Sequence, residues 1–221
     1  MRFPNAYKGV SKLFLAEILQ LISAVVGIVA SVLLIASMVA VPAAQAEGVA
    51  LDTAGAAATM GVSSIALLVV GVIAIIAFIL TLVGLVQAKK DDDGFKIALI
   101  FALICIVLSI LSSVLSSVNP TISGWMQFVG TIFELCVFEY VVVGIMSLSN
   151  QIGDQKMAAF GAKVRTLISI MYIVLLIIRL FGNINPNFAG VIGIIAAVIE
   201  LVMYIGYLIY LARAKKMLSQ A

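Results

Sequence analysis

The chain contains no histidine and only two cysteines, Cys105 and Cys136. Conventional zinc and haem sites draw on histidine and clustered thiolates, so neither is expected here. No histidine-assisted nucleophile can be built. Both cysteines fall inside apolar runs, where they read as small packing residues. Phosphate-cradling glycine loops, a dinucleotide fingerprint and a His-Glu-x-x-His motif are all missing. Every aspartate lies outside the apolar runs, so paired intramembrane aspartates are not available for acid chemistry. The chain is not expected to be an enzyme, and no cofactor is implied.

Charge is equally scarce. Only 10% of the 221 residues are charged and 64% are hydrophobic, with a mean hydropathy of +1.28. Soluble domains average about 25% charged residues, so this chain has too little polar surface to coat a water-soluble globule. It lacks a polybasic arm and any interleaving of basic and aromatic residues, which argues against a nucleic-acid partner. The net charge of +3 suits contact with anionic lipid headgroups instead.

What charge there is has a pattern. Twelve of the thirteen basic residues form four clusters of three. These are Arg2, Lys8 and Lys12; Lys89, Lys90 and Lys96; Lys156, Lys163 and Arg165; and Arg213, Lys215 and Lys216. They mark alternate ends of six apolar segments, near 13–41, 62–88, 97–117, 125–148, 164–182 and 189–211. About 20 apolar residues suffice to cross a bilayer core of about 30 Å, and basic residues accumulate on the cytoplasmic side. The expected fold is all-α. It is a polytopic bundle of six transmembrane helices forming one domain over 1–221, with both termini cytoplasmic and the bilayer as its principal partner. A bacterial cytoplasmic membrane is the expected location.

Two local features invite other readings. Ala44-Gln45-Ala46 before Glu47 resembles a signal-peptidase site, but Leu13–Val41 is much longer than the 7–15 residues of a signal-peptide core; it is read as a retained helix. Asp91-Asp92-Asp93 suggests a metal loop, yet three adjacent carboxylates cannot all face one ion without further oxygen ligands. They read as a solvated turn between helices, capped by Asp93 and Gly94.

The most specific internal signal is a repeat. Asn119, Pro120 and Gly124 recur as Asn185, Pro186 and Gly190, an offset of 66 (185 − 119). The same offset carries Glu134-Leu135 onto Glu200-Leu201. Asn-Pro recurs readily at helix starts, because Asn caps and Pro suits the first turn. Capping does not explain an acid 14 residues after each Pro. The chain therefore reads as helix pairs over 13–88, 97–148 and 164–211, with the last two pairs related as parallel repeats.

Ten residues past Gly124 or Gly190 is about 15 Å along a helix, close to the bilayer midplane. Intramembrane acids are costly and usually face protein or a wet cavity. Glu134 and Glu200 are thus the leading candidates for a proton or monovalent-cation site. Arg179, the one base outside the clusters, either snorkels outward or leans toward Glu200. Glu17, Gln20 and Glu139 form a second candidate group lining a cytoplasmic vestibule, and Tyr204 shares a helix face with Glu200. Small residues at Ser23, Gly27 and Ser31, and at Ser109, Ser112, Ser113 and Ser116, mark surfaces for close helix packing.

Three functions fit: a transport-related protein acting on a proton, cation or small solute; a non-catalytic subunit docking a cytoplasmic or membrane-protein partner; and a structural membrane protein. Cysteine-accessibility mapping tests the shared topology. Thiols introduced near Gly55 and Asn183 are expected to react from outside, and those near Asp92 and Gln155 are not. Labelling of the second pair in intact cells overturns the orientation.

Overall fold

A backbone in hydrocarbon has to satisfy its N–H and C=O groups within its own segment, so long apolar runs adopt the helix. A computed structural model describes residues 2–46, 53–184 and 189–221, and every regular element among them is helical. The elements are α1 (Pro4–Ala46), α2 (Thr53–Ala88), α3 (Asp93–Ser116), α4 (Pro120–Ile152), α5 (Gln155–Ile184) and α6 (Ala189–Gln220). Among the described residues, α1 to α5 each carry a stretch long and apolar enough to cross a membrane.

Several helices outrun their apolar spans, because capping chemistry rather than hydropathy ends them. The connection expected over Ser149–Lys163 shrinks to Gly153 and Asp154. Gly153 adopts φ 88°, the left-handed conformation in which a helix commonly terminates. Asp154 N–H donates to Ser149 O at 2.9 Å, and Asp154 Oδ1 accepts from Met157 N at 3.0 Å to start α5. At the turn between α3 and α4, Asn119 Oδ1 accepts from the N–H groups of Thr121 and Ile122 at 3.1 and 3.2 Å, with Pro120 opening α4. The matching residues Asn185–Phe188 lie outside the described residues.

The aspartate turn is organised differently from expectation. Asp92, not Asp93, caps α3, accepting from Gly94 N at 2.8 Å. Asp91 turns to another helix. Its Oδ2 accepts from Ala6 N at 2.7 Å and its Oδ1 from Asn5 Nδ2 at 3.0 Å. The carboxylate thereby caps the start of α1, where the helix dipole favours negative charge.

By its contacts the chain forms two compact units, Leu15–Leu80 and Met1–Phe14 with Thr81–Ala221. In the first, Ser23 is buried, and a Cβ added at Gly27 would meet Val70 Cγ1 at 3.9 Å. Ser31 has no described side chain. In the second, α3 packs on α4, α4 on α5 and α5 on α6. α4 also touches α6. Tyr210 Oη donates to Val142 O at 3.3 Å and Ser149 Oγ donates to Met217 Sδ at 3.2 Å. Both contacts join residues 68 apart, so α4 and α6 run in the same direction.

The four basic clusters gather at one end of this second unit. Arg2 donates to Gln151 O at 2.8 Å, Arg213 lies 4.6 Å from the Phe160 ring centre and Lys215 lies 5.6 Å from that of Phe14. The buried core is densest there, with Leu13, Leu85, Phe95, Ile145, Leu148, Leu211 and Leu218 almost fully enclosed. Farther along, large apolar side chains face outward, as Ile100, Leu103, Val107, Ile110 and Val114 do on α3. Such a stripe suits lipid and would be a liability in water. Of the serines expected to line α3, only Ser112 is buried; its Oγ lies 2.9 Å from Ser123 Oγ and joins α3 to α4. Ser109, Ser113 and Ser116 are exposed.

Glycine sets the closest approaches in this unit. A Cβ on Gly9 would lie 2.5 Å from Gly84 O, one on Gly94 would lie 2.9 Å from Gly144 Cα, and one on Gly161 would lie 2.5 Å from Met146 Cγ. Gly94→Ala and Gly144→Ala are each expected to cost about 1–3 kcal/mol through overpacking. Gly130 faces open space, so Gly130→Ala is expected to leave stability unchanged or slightly raised. Denaturation midpoints in detergent provide the comparison; equal behaviour of all three variants contradicts backbone-limited packing.

Candidate functional site on the fourth helix

Away from the charged end of this unit, helix α4 carries several polar side chains in sequence. Gln127, Thr131 and Glu134 follow one another at four- and three-residue spacing and so share a strip of the helix. Thr131 is buried. Its Oγ1 donates to Gln127 O at 3.0 Å and accepts from Arg179 Nη1 at 2.5 Å. Arg179 thus reaches from α5 across to α4, one helical turn from the half-buried Glu134. Thr131 was not a sequence candidate, and its helical spacing from Glu134 was the available signal.

Glu200 lies in the helical backbone of α6, and its side chain falls outside the described residues. The surrounding register is defined. Phe138 meets Tyr204 with ring centres 6.3 Å apart and Tyr207 with centres 4.7 Å apart. Glu134 precedes Phe138 by four residues and Glu200 precedes Tyr204 by four. With the 68-residue offset of the Tyr210–Val142 and Ser149–Met217 contacts, the two backbone positions lie within about two residues, or about 3 Å, of one level. Phe138, Tyr172, Tyr204 and Tyr207, with Ile168 and Met203, enclose a void of about 10 Å³, room for one water at most.

Glu139 occupies a different face. Arg165 Nε and Ser169 Oγ both donate to its carboxylate, so one base and one hydroxyl of α5 fix it against α4. The Glu139 side chain is 15% exposed and that of Arg165 52% exposed. Glu17 is buried and Gln20 half-buried, but both belong to the Leu15–Leu80 unit while Glu139 belongs to the other. Arg165 had been counted only as a member of a basic cluster. Its four-residue spacing from Ser169 was legible, whereas their shared acceptor on another helix was not.

No metal-ligating group of three or more Cys, Asp or Glu side chains occurs among the described residues. No protein-family model, curated protein or solved structure matches the chain.

The Glu139–Arg165 pair makes an asymmetric prediction. Arg165→Ala strands a largely enclosed carboxylate and is expected to cost about 2–3 kcal/mol. Glu139→Ala strands a half-exposed guanidinium that can turn outward, and is expected to cost about 1 kcal/mol. The double variant should lie close to Glu139→Ala. Unfolding in detergent across this cycle measures the coupling, and strictly additive losses contradict it.

Proposed function

We propose that this chain is a transport-related, multi-pass membrane protein with six spans and cytoplasmic termini. Its protonatable site is centred on Glu134 and Glu200 and served by Arg179, and its setting is a bacterial cytoplasmic membrane. The observation carrying this reading is the Arg179–Thr131 hydrogen bond at 2.5 Å, which commits the one base outside the clusters to the Glu134 strip of α4. The equal spacing of the two acids from the Phe138–Tyr204 contact supports it further.

Two carboxylates around one guanidinium carry a net charge of −1 when both are ionised. With one proton bound, the group is neutral. A low-dielectric interior disfavours net charge, so such a group takes up and releases a single proton as a pair rather than as separate acids. A monovalent cation can replace the proton in the same charge balance. Conformational change that opens the group to one side and then the other would couple this exchange to movement of a solute. The reading involves no covalent chemistry and no cofactor.

The test uses purified full-length protein in liposomes loaded with a pH-sensitive dye, exposed in turn to monovalent cations and small solutes. Glu134→Gln, Glu200→Gln and the double variant keep shape and hydrogen bonding but cannot titrate. Each is expected to abolish proton-linked flux while remaining folded. Persistence of every wild-type flux in the folded double variant removes the proton site and leaves the carboxylates as interhelical hydrogen-bonding groups.

A further inference from the structure

At the charged end of α4, Val143, Met146, Ser147, Asn150 and Gln151 join Arg165 of α5 around an open cleft of about 440 Å³. Arg165 is anchored through Nε to Glu139, and among the described residues neither of its Nη groups has a hydrogen-bond partner. The guanidinium is therefore held by one edge with its other edge open. Ser147 Oγ accepts only a long 3.4 Å bond from Gln151 Nε2, which leaves its own hydroxyl proton to donate. A second guanidinium stands at the same end, since Arg2 Nη1 donates to Gln151 O at 2.8 Å. Glu139 is the one acid touching Arg165 in this cluster, and it uses Nε.

We propose that this cleft binds the phosphate of an anionic phospholipid headgroup. The Nη groups of Arg165 and the side-chain donors of Ser147 and Asn150 would meet the phosphate oxygens, while Val143 and Met146 would lie against the glycerol and upper acyl chain. A planar guanidinium suits two phosphate oxygens at once. Basic pockets between membrane helices at the cytoplasmic face suit headgroups of this charge. Glu139 acts as a positioning residue, because its ion pair orients the guanidinium without consuming the edge that faces the cleft. The inference is independent of the Glu134–Glu200 reading.

Native mass spectrometry of the full chain in detergent tests it, with phosphatidylglycerol and diacylglycerol, which lacks the phosphate, titrated separately and together. The wild type is expected to prefer phosphatidylglycerol by about tenfold, the equivalent of one or two charge-assisted hydrogen bonds. Arg165→Lys preserves the charge and the Glu139 pair but loses the fork, and Asn150→Ala removes a donor at an exposed position. Each should reduce the preference by about fivefold. Lys163→Gln removes a nearby exposed charge that does not line the cleft, and should retain it. Competition by millimolar inorganic phosphate assigns the source: lipid that stays bound identifies the membrane, and lipid that is displaced identifies a soluble phosphate. No preference in the wild type, retention of the preference in both cleft variants, or equal loss in Lys163→Gln overturns the proposal.

Discussion

Backbone contact at glycine governs how the larger unit assembles. Lipid tails are as apolar as leucine, so helices in a bilayer associate through close packing and polar contacts rather than through expulsion of water. Gly9 against Gly84 and Gly94 against Gly144 permit main chains to meet where any side chain would intervene, and Gly161 does the same for the side chains of Met146 and Tyr210. These contacts lie near the starts of α1, α3 and α5. Once the main chains are that close, short links suffice, and Asp91, Asp92 and Asp154 become available as helix caps. The tight turns and the dense charged-end core are consequences of the same proximity.

Several polar side chains farther along α4 meet a partner across a helix boundary. Ser123 meets Ser112 of α3, Thr131 meets Arg179 of α5, and Glu139 meets Arg165 and Ser169 of α5. These bonds hold α4 in rotation as well as in position, since they leave it on different faces. A helix so constrained keeps Glu134 at a fixed angle to α5.

The helices were legible because hydropathy and basic clusters both report on the membrane, one through its core and the other through its edges. Each expected span falls within an observed helix, apart from residue 117 as a cap. Helix ends were less legible. Gly153 and Asp154 terminate and restart helices inside the segment left between the apolar spans 125–148 and 164–182. The Asn119-Pro120 start followed directly from local capping chemistry, and its observed geometry agrees. Asp91 capping α1 did not, because that bond joins residues 85 apart and depends on how the helices pack. The same limitation hid Arg165 beneath Glu139 and left only their separate helical patterns visible.

Glu134 and Glu139 show why sequence distance alone misjudges an intramembrane acid. They stand five residues apart on α4, so the helix turns them to different faces. Glu139 meets a base drawn from the charged end of α5, whereas the strip carrying Glu134 meets Arg179 from the opposite end of that helix. One antiparallel neighbour therefore supplies both bases without bringing them together. The separation assigns orientation of Arg165 to one acid and leaves the other beside a distinct cation. The Glu139 ion pair and the Arg179–Thr131 bond therefore secure α4 to α5 at two separate levels.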